Sequence, residues 1–206
     1  DQSKPVVNLM SPIEENVSSS DLDFEFNVTD DLSSTFDCEL LIDGSSEGST
    51  TVDNNTASII SASSVSDGFY EWTVECTDEA DNVNQTSSNF TLDTTVPSFV
   101  NITPQGGHVE KDSATITHNV SLSDDVYGNL TCHLYLDGLH NQTKTVVEPS
   151  TDVLFLTSYV EDGSHSWNVS CWDNFGNVNY SDQLSFTLDV GPNDIVYSSP
   201  FTTANN

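Results

Sequence analysis

Four cysteines, five histidines and thirty-three acidic residues are the groups in this 206-residue chain that could carry chemistry. Zinc would need closely spaced ligand pairs such as C-x2-C, and Cys38, Cys76, Cys132 and Cys171 lie far apart. His108, His118, His133, His140 and His165 form no H-x-x-x-H pair. There is no G-x-S-x-G and no glycine-rich phosphate loop. Aspartate and glutamate pairs occur throughout, so a catalytic pair cannot be distinguished from background. The expectation is a chain without enzymatic activity.

The cysteines belong to a repeat. "DGFYEWTVECTDEADN" from Asp67 returns as "DGSHSWNVSCWDNFGN" from Asp162. "CELLIDG" from Cys38 returns as "CHLYLDG" from Cys132, and "NFTLD" from Asn89 as "SFTLD" from Ser185. "PVVNLMSP" from Pro5 matches "PSFVNITP" from Pro97. The period is about 95 residues. It predicts one domain over 1–95, a second over 96–190 and a tail over 191–206. The joint "LDTTVP", Leu92 to Pro97, contains no glycine, which predicts two units set nearly end to end.

Phe24, Phe26 and Val28 alternate with polar residues, as do Tyr70, Trp72, Val74 and Cys76. A period of two puts one strand face in a core and the other in water. Turn signals separate the runs at Asp43-Gly44, Asp67-Gly68, Asp137-Gly138 and Asp162-Gly163. No helical stripe is present. The expected fold is all-β, two tandem β-sandwiches of immunoglobulin type. Each unit holds one cysteine pair with the inward parity of its apolar neighbours, which predicts Cys38–Cys76 and Cys132–Cys171 disulfides. Such bridges imply an oxidising compartment outside the cytosol. Trp72 and Trp167 share that parity and are expected to pack beside the bridges. Asp78 with Asn82, and Asp173 with Asn177, suit a turn in which side chains bond nearby backbone.

The chain has three basic residues (Lys4, Lys111, Lys144), no arginine and a formal charge of −30. Such a surface repels phosphate backbones, so nucleic acid is not an expected partner; an acidic coat also suits a salt-adapted organism. No stretch approaches the roughly 20 apolar residues of a membrane span. The start at Asp1 reads as that of a mature or trimmed protein without a signal peptide. Eleven N-x-S/T sequons occur, at Asn16, Asn27, Asn54, Asn84, Asn89, Asn101, Asn119, Asn129, Asn141, Asn168 and Asn179. Chance would give about five. Asn27, Asn89, Asn119 and Asn168 have outward parity, where N-linked glycans could sit; the other reading is an Asn/Ser/Thr-rich surface without sugar.

The pattern S/T-P, then C-x-L-x-I/L-D-G, then D-G-x-x-x-W-x-V-x-C-x-D-x-x-x-N, then F-T-L-D resembles the tandem Ig-like repeats of archaeal and bacterial cell-surface proteins. The resemblance covers residues 5 to 190. It implies stalks, surface layers, adhesins or filaments at the cell surface, and calcium held at joints between repeats. Candidate calcium ligands are Asp93 in the linker, Asp78 and Asp81 in the first unit's turn, and Asp173 in the second. Gly176 follows the turn pattern; Asp81 departs from it, which predicts a less comfortable left-handed turn in the first unit.

Two functions are compatible with this reading. One is a glycosylated, disulfide-stapled rod, the building unit of an extracellular filament, surface layer or stalk. The other is an adhesin module binding a glycan or protein through the second sandwich, with Trp172 and Phe175 as contacts. The tail repeats the domain opening: Pro192 precedes Ser199-Pro200 by eight residues, where Pro5 and Pro97 precede Pro12 and Pro104 by seven. Ile195, Val196 and Tyr197 take the place of first-strand apolar residues. The tail therefore reads as the start of a further repeat of a longer chain, as a strand donated to the next copy in a head-to-tail polymer, or as a frayed end.

Overall fold

The computed structural model describes residues 2–111, 115–126, 128–147, 152–158 and 161–190. All regular elements are β-strands, and the chain divides into two units. One comprises Asp1–Thr95 with Phe175–Asn177, the other Val96–Asn174 with Val178–Asn206.

The first unit contains β1 (Val6–Ser11), β2 (Glu15–Val17), β3 (Leu22–Thr29), β4 (Thr35–Ile42), β5 (Ser45–Asp53), β6 (Ser58–Ala62), β7 (Gly68–Asp78) and β8 (Val83–Leu92). Two sheets, β1-β3-β6 and β2-β8-β7-β4-β5, enclose one core. The second unit contains β9 (Ser98–Thr103), β10 (His108–Glu110), β11 (Thr115–Ser123), β12 (Asn129–Leu136), β13 (Leu139–Val147), β14 (Asp152–Ser158), β15 (Gly163–Trp172), β16 (Val178–Tyr180) and β17 (Leu184–Leu188). Its sheets are β14-β11-β9 and β10-β17-β15-β12-β13, with β16 paired to β15. Each is a two-sheet sandwich with a core of its own. The peptide bonds Ser11–Pro12 and Thr103–Pro104 are cis, and in each unit the chain there passes from one sheet to the other.

The cysteines are direct partners on neighbouring antiparallel strands: Cys38 faces Cys76 across β4 and β7, and Cys132 faces Cys171 across β12 and β15. Both pairs are disulfide-bonded, with Cα atoms 4.1 Å apart. That is the close spacing of a non-hydrogen-bonded antiparallel pair. Closing a loop of this size stabilises a unit by roughly 4 kcal/mol in the chain-entropy account.

Both tryptophans are fully buried. Trp72 packs on Phe24 with ring centroids 5.0 Å apart, and its Nε1–H donates to the Pro12 carbonyl at 2.8 Å. The second core repeats this plan with one substitution. His118 stands where the first unit has Phe24, 4.5 Å from Trp167 and 5.7 Å from Phe186. It is completely buried. Thr157 donates to the Ile116 carbonyl, which leaves its hydroxyl oxygen to accept from His118 Nε2–H at 3.2 Å. His118 Nδ1 and Trp167 Nε1 have no hydrogen-bond partner. Burial therefore pulls the His118 pKa from 6.5 to about 4.

The sign of this linkage follows directly. The folded pKa lies below the unfolded one, so the unfolded chain binds the extra proton between them. Stability is whole above pH 6.5 and is lost as the pH falls towards 4. We predict that the second unit loses about 3 kcal/mol across this window through His118 alone. His118→Phe, which restores the first unit's residue, should raise the acid-side melting temperature and flatten the pH dependence. Calorimetry of the whole chain at stepped pH checks this; an unchanged pH slope in the variant would refute it.

Candidate functional site

The repeated aspartates are structural. Asp43 accepts from the Glu71 amide at 3.0 Å, and Asp137 accepts from the Ser166 amide at 2.8 Å. Asp67 accepts from the Thr94 amide at 2.9 Å, and Asp162 from the Val190 amide at 2.9 Å. Each thus ties a turn to a neighbouring strand or strand end.

The "DEADN" turn, considered above as a calcium site, closes on itself. Asp78 Oδ1 accepts from the Ala80 and Asn82 amides, both at 2.8 Å, and Oδ2 accepts from Asn82 Nδ2 at 2.9 Å. The Asn82 side-chain bond leads the interactions that hold the Asp78 carboxyl below its ordinary pKa. Glu79 turns back to the amides and hydroxyls of Ser34 and Thr35, and the Ser34 hydroxyl is the first cause of its lowered pKa. Asp78 is thus engaged in holding its own turn. Asp81 is exposed at φ 63°, so it adopts the left-handed conformation that Gly176 adopts at φ 93° in the turn after β15. Asp93 and Asp173 are buried.

The sequons fall into different environments. Asn16, Asn101, Asn129 and Asn141 are exposed, and Asn27, Asn89, Asn119 and Asn168 are half-buried on strands. Three others have side-chain amides engaged within the fold. Asn54 Nδ2 gives hydrogen bonds to the Asp30 and Ser33 carbonyls at 2.7 and 2.9 Å, while its Oδ1 accepts from the Asp30 amide. Both amide hydrogens are taken. Asn84 Nδ2 donates to the Pro5 carbonyl at 2.8 Å, and Thr86 donates to the Val7 carbonyl at 2.9 Å. Asn179 Nδ2 donates to the Pro97 carbonyl at 2.9 Å. Alternate residues of a strand share a face, so Asn-x-Thr here is a side-chain ladder that ties β8 to β1.

The two units differ on the outer face of the larger sheet. In the first unit Asp37 and Glu39 on β4, and Glu71 and Glu75 on β7, have outward parity. Thr51 donates to Asp37 at 2.7 Å, and Ser46 donates to Glu39. The equivalent residues of the second unit are Thr131, His133, Ser166 and Ser170. No carboxylate stands at the outward positions of β12, β13 and β15. Aromatic rings stand there instead. His133 packs edge-on to Trp172, with centroids 4.3 Å apart at 83°, and lies 4.8 Å from His140. Tyr135 is 5.9 Å from His140 and 6.3 Å from His133. Burial, and then the neighbouring His140, lower the His133 pKa. Of this cluster the sequence reading named Trp172 alone; the outward parity of His133 and Tyr135 on β12 was the available signal. Phe175, the other aromatic it named, is half-buried in the turn after β15. Ile195, Val196 and Tyr197 lie outside the described residues.

Residues 15–94 match the family model of the bacterial Ig-like domain. The I-band fragment I67–I69 of titin aligns with 92% of this chain and 66% of its own, at 14% identity and a TM-score of 0.64. Fibronectin(III)-like modules of Clostridium thermocellum CbhA align over 90% of this chain and 95% of theirs, at 14% identity and a TM-score of 0.47. No curated protein sequence matches the chain. At such identities the titin likeness is one of fold. The chain is a tandem of immunoglobulin-like β-sandwiches, one disulfide in each. The bridges are consistent with an extracellular protein. Among the described residues no helix is long and apolar enough to cross a membrane.

The Asn84 ladder generates a prediction. Asn84→Asp turns a donor facing the Pro5 carbonyl into an acceptor and should cost the first unit about 1–3 kcal/mol. Asn141→Asp, at an exposed site, should change stability by no more than about 0.5 kcal/mol. Denaturant unfolding of the two variants compares them. Equal stabilities would mean that the Asn84 bond contributes nothing.

Proposed function

We propose that the protein is a structural component of the cell surface, a disulfide-stapled building unit of a filament, surface layer or stalk that contacts copies of itself or further repeats. One observation carries the reading. The same scaffold is built twice, with tryptophan, disulfide and aspartate-anchored turns conserved inside each unit, while chemistry-bearing residues are absorbed into turns and cores. Persistence outside the cell is what such a unit supplies. A net charge of −30 keeps it soluble, and sugar on the exposed asparagines Asn16, Asn101 and Asn141 would shield it further. Calcium enters the proposal through the resemblance to surface repeats; a cation beside the buried carboxylate of Asp93 in the first unit, or beside that of Asp173 in the second, would favour its charged form.

The adhesin reading has one observation in its favour, the aromatic and histidine rings around Trp172. A sugar could stack on them.

Electron microscopy of native cell-surface material, with glycopeptide mass spectrometry, tests the structural reading. Ordered polymers containing this chain are expected, with sugar on exposed sequons and none on Asn54. Dispersed single molecules that bind glycans would replace it with the adhesin reading. Calcium has its own check. Chelation should lower the melting temperature more than a change of ionic strength alone; an equal shift would remove the ion from the proposal.

A further inference from the structure

We propose that self-association joins the carboxylate face of one copy's first unit, Asp37, Glu39, Glu71 and Glu75, to the histidine–aromatic face of another copy's second unit, His133, Tyr135, His140 and Trp172. The inference rests on the structural reading above and names the surfaces through which it operates.

Electrostatics select these faces. Two copies that each carry −30 repel at most approaches. The outward positions of β12, β13 and β15 are a place where that repulsion is relieved, because hydroxyls, amides and rings replace carboxylates. The replacement is register for register: Asp37 by Thr131, Glu39 by His133, Glu71 by Ser166, Glu75 by Ser170. One strand register therefore presents two faces of different hydrogen-bonding character, with Ser170 itself buried. Imidazole N–H groups donate, carboxylates accept, and charge-assisted bonds of this kind are among the stronger ones. Trp172 and Tyr135 add the aromatic contact area that interfaces favour. The acidic side is also prepared, since the Thr51 and Ser46 hydroxyls hold Asp37 and Glu39.

The two faces lie on different units, so the contact is heterologous. Of two copies in contact, one retains its histidine–aromatic face and the other its carboxylate face, which lets further copies add.

Protons are linked to this contact. In the single copy His133 and His140 face Thr131 and Tyr135 on β12, Thr143 and Thr145 on β13, and Asn168, Ser170 and Trp172 on β15, none of them a carboxylate. Docking would bring carboxylates against the His133 imidazole, whose charged form burial and the neighbouring His140 disfavour in the single copy, and would favour that charged form. Association should therefore tighten as the pH falls from about 8 to about 6.

Reciprocal grafts test the proposal in the full chain. Thr131→Asp with His133→Glu gives the second unit the first unit's residues, and the first unit itself shows that the scaffold accepts them. Asp37→Thr with Glu39→His makes the opposite graft. Sedimentation velocity is expected to show the unaltered chain assembling, each graft alone assembling at least about tenfold more weakly, and an equimolar mixture of the two assembling again. Melting curves control for folding, and His140→Glu, at an exposed position, provides an independent variant of the second face. Grafts that assemble like the unaltered chain, or a mixture that stays monomeric, would overturn the face assignment while leaving the structural reading intact. Sugar found on Asn168 in assembled material would overturn it as well, because Asn168 opposes Tyr135 on the same face. Deleting residues 192–206 should leave assembly in place; loss of assembly would assign the contact to the tail instead. An unaltered chain that stays monomeric from pH 5 to pH 8 would overturn both the faces and the self-associating unit.

Discussion

The register of two central strand pairs decides most of this molecule. Cys38 stands directly opposite Cys76, and Cys132 opposite Cys171. A one-residue slip would turn every side chain of those strands to the wrong side of its sheet. The disulfide excludes that slip. With the register set, Trp72 and Trp167 enter the cores, and the residues between the inward ones take the outer face of the sheet. The anchoring aspartates then hold the turns from which these strands start and end.

Register also explains how the two units diverged. Inside, apolar residues replace apolar ones at most positions, with changes of size such as Phe26 to Val120 and Ile60 to Phe155. His118 in place of Phe24 is the exception. Thr157, standing where the first unit has Ala62, offers it one hydrogen bond. The second imidazole nitrogen and the Trp167 indole remain unmatched. The second core therefore holds polar atoms that the first avoids, and an acid sensitivity follows from them. Outside, Thr131 and His133 stand where the first unit has Asp37 and Glu39.

Charge is the second constraint. With three basic side chains against thirty-three acidic ones, ion pairing contributes little to cohesion. Carboxylates are instead satisfied by hydroxyls and amides. Glu79 on Ser34 and Thr35, Asp67 on Thr94 and Thr95, and Asp37 on Thr51 all use this device. The abundance of serine and threonine thus has a use apart from any sugar. In such a coat a surface without carboxylates is conspicuous, and its chemistry is set by what replaced them.

Much of the fold was determined by the sequence alone. Period-two alternation along β3 and β7 specifies which residues are inside, because successive side chains of a strand take opposite faces. Equal parity of the cysteines, tryptophans and their apolar neighbours is enough to pair Cys38 with Cys76 and to place Trp72 beside them. The Asp-Gly turns follow from the backbone conformations those residues accept. His118 was legible in principle, since it shares parity with Ile116 and Val120. Other features depended on the tertiary structure. Asn84-Gln85-Thr86 reads equally as a sugar acceptor or as a ladder; only the approach of β1 to β8 assigns its amide to the Pro5 carbonyl. Asp78 reads as a metal ligand until the turn folds its own amides onto the carboxylate. The rings of His133, His140 and Trp172 come from three strands and meet only once β13 and β15 flank β12. Parity along a strand is a local property of the backbone and can be read from one segment, whereas a side chain's partner across strands depends on which segments the fold makes neighbours.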